Sequence, residues 1–167
     1  MVKYVFDLDY TLYSRSDVND SGSDKDFYNS FKPKQFMNHL LDKLDGNNYI
    51  FTNGNWQHAI DVIKKMELAW NFKDIQSTDM VGNKLKPELD VYLNAIRKFK
   101  ILKNETVYFF EDTVENLIPA KELGWKTILI EPNFAGRKPN FIDFHFKTIE
   151  EALLFFVVKQ KFRNDFD

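Results

Sequence analysis

Short apolar runs and segments of helical periodicity alternate along the chain. Apolar residues recur every three or four positions in five segments, which predicts helices that begin at Pro33, after Gly54 and at Pro87, and that span 114–123 and 149–161. Between them, five short runs rich in aromatic and β-branched residues predict strands over 3–6, 49–52, 106–110, 126–130 and 144–146. Such strands, separated by helices, predict an α/β fold: a mainly parallel five-stranded sheet between two helical layers, a Rossmann-like arrangement.

The segment 13–31 interrupts this alternation. It is polar, and it carries Asp17, Asp20, Asp24 and Asp26 among serines and glycines. We therefore expect a short polar loop here, without a helix long enough to close a pocket. At 167 residues the chain suits a single domain, 1–167, with a sizeable core.

Polar side chains follow three of the predicted strands at the point where each strand ends. In chain order they are Asp7 and Asp9, Thr52-Asn53-Gly54, and Glu111-Asp112, with Lys86 just before a later helix. The carboxyl ends of parallel strands meet at one edge of a sheet, where α/β proteins place their sites. We therefore expect these residues to lie close together.

The pair Asp7 and Asp9 is the most informative feature of the chain. Because side chains alternate along an extended strand, both carboxylates point to the same side, where a cation would neutralise them. We interpret Asp7 as a nucleophile that attacks phosphorus and forms an aspartyl-phosphate. Asp9 is then the general acid and base. An Asp-x-Asp pair also occurs in ordinary turns, which is the alternative.

The acidic residues also predict a metal site. Oxygen ligands are what Mg²⁺ prefers, and Asp7, the backbone carbonyl of Asp9 and Asp112 supply them, with Glu111 acting through a water. The alternative for Glu111-Asp112 is that these acids cap the following helix and interact with its dipole.

Thr52-Asn53-Gly54 and Lys86 complete a predicted phosphate site. The Thr52 hydroxyl and the Asn53 and Gly54 amides, near a helix N-terminus, would hold the phosphoryl oxygens, and Lys86 would neutralise their charge. The alternatives are an ordinary strand-to-helix turn and a solvated lysine before a proline. The histidines show no metal-ligand spacing and are predicted to be structural; they are His39, His58 and His145.

Taken together, these motifs resemble the four motifs of the haloacid dehalogenase (HAD) superfamily of phosphohydrolases. They are Asp7-Leu8-Asp9-Tyr10-Thr11-Leu12, Phe51-Thr52-Asn53-Gly54, Lys86-Pro87 and Phe110-Glu111-Asp112. The resemblance is closest to the pyrimidine 5′-nucleotidase-like branch. It implies a five-stranded parallel sheet, a requirement for Mg²⁺ and the roles given above. Aspartate at position 9 implies phosphatase rather than dehalogenase chemistry.

The expected function is Mg²⁺-dependent hydrolysis of phosphomonoesters, of a nucleotidase-like kind. Relatives in that branch carry a helical cap after the first motif, whereas the loop 13–31 leaves a minimal cap or none and an open site. Two alternatives remain: a phosphatase acting on phosphopeptides or other macromolecules, and a HAD-fold protein that binds without turnover. Four aspartates in this loop would repel a polyanion, so a nucleic acid is not favoured as a substrate.

Composition adds little to this picture. The chain has 23 basic and 25 acidic residues, a formal net charge of −2, and no cysteine, so disulfides and thiolate chemistry are excluded. Its longest apolar run, 152–158, is too short to span a bilayer, and no signal peptide is recognisable, so we expect a cytoplasmic protein that does not enter a membrane. The sequence assigns no role to Arg15, Trp56 or segment 133–140, and indicates no oligomeric state.

Overall fold

Six parallel strands form the central sheet of the computed structural model, which describes residues 1–165. Their order across the sheet is β3-β2-β1-β4-β5-β6, and each neighbouring pair is parallel. This confirms the predicted parallel α/β class. The strands are β1 (Val2–Phe6), β2 (Asn47–Phe51), β3 (Asp74–Gln76), β4 (Thr106–Glu111), β5 (Lys126–Ile130) and β6 (Phe144–Phe146).

The predicted number of strands, five, was wrong because β3 was missed. This edge strand is three residues long and has one apolar residue, Ile75, so it has no hydrophobic alternation to detect. It forms by pairing with β2, where Ile75 lies opposite Ile50. Gln76 is buried at its end, and its Nε2 donates to the carbonyl of Val91 at 2.7 Å, which offsets part of the cost of burying the amide.

Helices cover both faces of the sheet, as predicted. Residues of α2, α3 and α6 pack on one face, and those of α4 and α5 pack on the other. The five predicted helices are confirmed with shifted ends, and one short helix is additional. The bounds are α1 (Asp24–Ser30), α2 (Gln35–Asp42), α3 (Trp56–Lys65), α4 (Leu89–Lys98), α5 (Val114–Glu122) and α6 (Ile149–Asp165).

The additional helix, α1, lies in the segment 13–31, which was expected to be a loop. Within the same segment a 3-10 turn, Arg15–Asp17, precedes it. Local sequence gives α1 a cap, since the Ser23 side chain accepts from the amide of Asp26, but no apolar stripe. Its aromatic residues, Phe27 and Tyr28, instead pack against the rest of the protein. Tertiary contacts thus stabilise a helix that periodicity does not reveal.

The central strands position the site. The rings of Phe6 and Phe110, the partners in register on β1 and β4, stack with centroids 4.5 Å apart. The amide of Asp7 continues this pairing by donating to the carbonyl of Phe110 at 2.9 Å. Asp7 and Glu111 therefore emerge side by side where the strand order reverses, which is where open α/β sheets bind ligands.

Among the helices within residues 1–165, none combines the length and the apolar character that crossing a membrane requires.

Candidate active site

The eight residues predicted to form a site lie together at the carboxyl edge of β1, β2 and β4. Lys86 is the centre of the cluster. Its Nζ donates to Asp7 Oδ1, to Glu111 Oε2 and to the backbone carbonyl of Phe51, each at 2.8 Å. Its side chain is 1% exposed. Burial by itself lowers the pKa of Lys86, but the two carboxylates outweigh it and raise the pKa above its usual range. The ammonium therefore stays charged.

Asp7 is buried beside this ammonium. Burial, reinforced by the negative charge of Glu111, raises the pKa of Asp7 to about 7, although Lys86 opposes the change. The hydroxyl of Thr11 donates to Asp7 Oδ2 at 2.9 Å. Both oxygens thus have a partner that fixes the orientation of the carboxylate, and an added cation would favour its charged form.

Glu111 and Asp112 complete a cluster of three acids with Asp7. One carboxylate oxygen from each lies within 4.8 Å of the others. Burial raises the pKa of both Glu111 and Asp112, and the neighbouring charge of Asp7 contributes to the rise at Asp112. Glu111 is fully engaged, because Oε1 accepts from the amides of Asp112 and Thr113, at 3.1 Å each, and Oε2 accepts from Lys86.

The donor set fits a hard divalent cation. Three carboxylates held this close in a buried site repel one another, and a cation with oxygen ligands removes that repulsion. Asp7 and Asp112 are suited to direct coordination. Glu111 contributes negative charge, but its bonds to Lys86 and to two amides leave it less able to reach a metal directly.

Asn53 holds the backbone of Lys86 through two hydrogen bonds. Its Oδ1 accepts from the amide of Lys86 at 2.8 Å, and its Nδ2 donates to the carbonyl of Lys86 at 3.3 Å. The sequence suggested a phosphate role for the Asn53 amide and gave no role to this side chain. The structure shows that the side chain joins the turn after β2 to the loop that carries the lysine.

The turn after β2 brings Thr52 and Gly54 to the same edge. Thr52 Oγ1 accepts from the Gly54 amide at 2.9 Å. A Cβ at position 54 would lie 2.8 Å from Cδ2 of His58 and 3.5 Å from Asp9 Oδ2, so the absence of a side chain lets three segments meet. Asn55 then caps α3 by accepting from the amide of His58 at 2.8 Å.

Asp9 is bound by two side chains to which the sequence assigned no catalytic role. The hydroxyl of Tyr13 donates to Asp9 Oδ1 at 2.5 Å, and His58 Nε2 lies 2.6 Å from the same oxygen. The hydrogen bond to Asp9 raises the pKa of His58, although burial opposes it. His58, which was predicted to be structural, thus contacts the residue interpreted as the general acid and base. The one sequence feature that could have indicated this contact is the position of His58, four residues after Gly54 and on the first turn of α3.

The other two histidines have different surroundings. His39 is exposed on α2, and His145 Nε2 bonds to the carbonyl of Glu131 at 2.8 Å. A structural or surface position fits both.

A cavity of about 520 Å³ opens beside Asp112. The guanidinium of Arg15 lies 4.0 Å from the ring centre of Tyr10 at its wall. Of the segment 133–140, Asn133 reaches this cavity. Trp56 instead begins α3, and its amide donates to Asp79 Oδ1 at 3.0 Å.

Fold and site together define a Rossmann-like α/β protein with a cluster of acids and a buried lysine at the carboxyl ends of its central strands. The sequence profile described as haloacid dehalogenase-like hydrolase matches residues 21–130, well over half of the chain. The chain therefore belongs to the haloacid dehalogenase-like hydrolase family. No curated protein sequence matches it.

Solved structures agree with this fold. A candidate β-phosphoglucomutase from Thermotoga maritima is 15% identical, with 96% of this chain and 99% of that one covered, and a TM-score of 0.69. L-2-haloacid dehalogenase from Xanthobacter autotrophicus is 12% identical, with 91% and 96% covered and a TM-score of 0.67. A dehalogenase in an intermediate complex is 19% identical, with 84% and 65% covered and a TM-score of 0.66.

The chain spans 65% of that last dehalogenase and 53% and 52% of two others. At these identities the likeness shows the fold alone.

Proposed function

We propose that this protein is a Mg²⁺-dependent phosphomonoester hydrolase that works through an aspartyl-phosphate on Asp7. The observation that carries the proposal is the cluster of Asp7, Glu111 and Asp112, whose oxygens lie within 4.8 Å of one another beside a buried lysine. Asp7 and Asp112, with the backbone carbonyl of Asp9, would hold the metal, and Glu111 would act through a water. When bound, Mg²⁺ would neutralise phosphoryl charge and act as a Lewis acid.

The residues of the chain divide the reaction into two displacements. In the first, a carboxylate oxygen of Asp7 forms a bond to phosphorus while the ester P–O bond breaks, and Asp9 gives a proton to the leaving oxygen. In the second, Asp9 takes a proton from water as the water oxygen attacks phosphorus. The Asp7–phosphorus bond then breaks, which releases phosphate and restores both carboxyl groups.

The remaining predicted residues would stabilise the phosphoryl group in both steps. Lys86 is held by Asp7 and Glu111 at 2.8 Å, so its charge is already in place when negative charge develops on the phosphoryl oxygens. The Thr52 hydroxyl and the Asn53 and Gly54 amides would contribute from the turn that precedes α3, near a helix N-terminus that favours an anion.

The dehalogenases among the similar structures make haloacid hydrolysis the alternative reaction. A halide leaves as a stable anion, so that reaction needs neither a proton donor for the leaving group nor a cation for a phosphoryl dianion. Asp9 would supply the proton donor, and Asp112 and Glu111 would supply negative charge for the cation. Of the two reactions, phosphoester hydrolysis is the one that requires both. Small phosphorylated molecules, among them nucleotides, and phosphopeptides are the substrate classes we propose to test first.

Phosphate and halide release separate the two reactions. We expect phosphate release in the presence of Mg²⁺, and none with EDTA, across a panel of nucleoside monophosphates, sugar phosphates, phosphopeptides and phosphorylated oligonucleotides. The same preparation is assayed for halide release from 2-haloacids. Metal-independent halide release without phosphate release would replace the proposed activity with dehalogenation. Binding of panel members without release of either product would indicate a non-catalytic protein.

The raised pKa of Asp7 predicts how stability depends on pH and metal. Because its pKa rises from 3.8 to about 7 on folding, the folded protein binds more protons, and this contribution to stability is lost as pH rises from about 4 through 7. The free energy of unfolding in EDTA should therefore fall as pH increases over this range. Mg²⁺ should restore stability above pH 7, because it favours the folded, ionised site.

Denaturant unfolding at several pH values, with EDTA or Mg²⁺, measures this effect. Asp7→Asn should flatten the pH dependence, whereas Asp90→Asn, a change at an exposed carboxylate, should leave it as in the wild type. A wild-type protein whose stability is independent of Mg²⁺ at pH 8 would contradict the metal site.

A further inference from the structure

Four side chains, those of Tyr28, His58, Asp9 and Tyr13, form a continuous hydrogen-bonded chain. The hydroxyl of Tyr28 lies 2.7 Å from His58 Nδ1, and His58 Nε2 lies 2.6 Å from Asp9 Oδ1. Tyr13 donates to the same oxygen at 2.5 Å. The residues come from three separate segments, the loop after β1, helix α1 and helix α3, so the chain exists only in the folded protein.

This arrangement anchors Asp9 through one oxygen. Both partners bind Oδ1, whereas Oδ2 lies toward the turn after β2, 3.5 Å from the position that a Cβ of Gly54 would occupy. The two bonds to Oδ1 hold the carboxyl group against rotation. Oδ2 is thereby directed to the region where the phosphoryl group is proposed to bind.

The ring of His58 is itself held in place. Its ring centre lies 6.3 Å from that of Phe27, at an interplanar angle of 23°, and 5.7 Å from that of Tyr28. Both aromatic residues belong to α1. The small size of Gly54 gives the ring its space on the other side, 2.8 Å from where a Cβ would be. Helix α1 therefore serves as a support for His58.

We propose that His58 and Tyr13 are positioning residues for the acid–base group Asp9, and that Tyr28 extends this support to α1. The corresponding substrate class is alkyl phosphomonoesters, such as those of sugars and nucleosides, whose leaving alcohol needs a proton. This inference rests on the proposed phosphatase function. The inference gives the segment 13–31 a role in positioning a site residue. A cap domain, in contrast, would cover the site.

The chemistry of the leaving group distinguishes a positioning role from a purely structural one. An alkoxide is a poor leaving group, so its departure depends on the proton from Asp9, whereas p-nitrophenolate departs readily as an anion. General-acid catalysis contributes about 10²–10⁴-fold where it is needed. A misplaced Asp9 should therefore slow the hydrolysis of alkyl phosphates far more than that of aryl phosphates.

The experiment compares kcat/KM, which reports formation of the phosphoenzyme, for p-nitrophenyl phosphate, phenyl phosphate and an alkyl phosphate with Mg²⁺. For His58→Phe, which keeps a ring and loses the hydrogen bonds, we expect a loss on the alkyl phosphate at least ten times larger than on p-nitrophenyl phosphate. His58→Gln, which retains a donor, should recover part of it. Tyr13→Phe should give the same pattern, and Tyr28→Phe a weaker one.

His39→Phe is the matched control, because His39 is exposed on α2 and takes no part in the hydrogen bonds that join Tyr28, His58, Asp9 and Tyr13. It should leave all three values as in the wild type. Equal losses on all substrates, or no loss for His58→Phe and Tyr13→Phe, would overturn the positioning role while leaving the phosphatase proposal standing. A wild-type protein that hydrolyses none of the three would overturn both. Tyr13→Phe and Tyr28→Phe each remove one oxygen, so the test stands if His58→Phe does not fold.

Discussion

Replacement of Asp7 by asparagine is expected to abolish phosphate release, with a loss of about 10⁴-fold or more, as when other enzymes lose a covalent nucleophile. The amide is close to the same size, and Lys86 keeps its bond to Glu111, so the variant should fold. Because an uncharged side chain replaces a buried acid whose pKa is raised, the metal-free variant should also unfold at a higher temperature than the wild type at pH 8.

Two measurements on the same preparation test the role of Asp7. Steady-state phosphate release gives the loss of activity, and thermal unfolding in EDTA gives the change in stability. Asp90→Asn serves as the control, because this carboxylate is exposed and paired with Lys84. Activity within tenfold of the wild type would show that another group attacks phosphorus, and a lower unfolding temperature would contradict the cost of ionising the buried Asp7.

The location of the site was predictable because it depends on topology. Parallel strands bring their carboxyl ends to one edge, so Asp7, Thr52 and Glu111, each following an apolar run, had to lie near one another once the strands paired. The structure confirms that juxtaposition. It also places Lys86 among them, although the sequence shows only a lysine before a proline.

The elements and contacts that the sequence did not predict depend on tertiary packing. β3 has one apolar residue, and α1 has aromatic side chains without a stripe, so both are stabilised by packing that no local pattern records. The contact of His58 with Asp9 spans 49 positions, and it requires α3 to dock beside the loop after β1. For the same reason the sequence did not show that the Asn53 side chain would hold the backbone of Lys86.

Charge at the site is balanced by one side chain. Asp7 and Glu111 are both nearly inaccessible to solvent, and each accepts a hydrogen bond from Lys86. Like charges held together in a buried site are costly, so the same lysine is needed for stability and for chemistry. Removal of this lysine should therefore change both stability and activity.

Lys86→Met should lower both activity and stability. The loss of a preorganised positive charge is expected to reduce kcat/KM by about 10²–10³-fold, or about 2.7–4 kcal/mol. Two buried carboxylates lose the one cation that both contact and keep only neutral donors, so the free energy of unfolding without metal should fall by about 3–5 kcal/mol. Phosphate release with Mg²⁺ and denaturant unfolding in EDTA measure the two effects.

Two further variants show whether these effects arise from the charge at position 86. Lys84→Met is the control, because Lys84 is an exposed lysine in the same loop and pairs with Asp90; activity and unfolding should stay as in the wild type. Adding Glu111→Gln to Lys86→Met removes one unpaired carboxylate, so stability should partly return while activity stays low. If Lys86→Met retains kcat/KM within twofold of the wild type, the lysine holds the acids without assisting the transfer of phosphate.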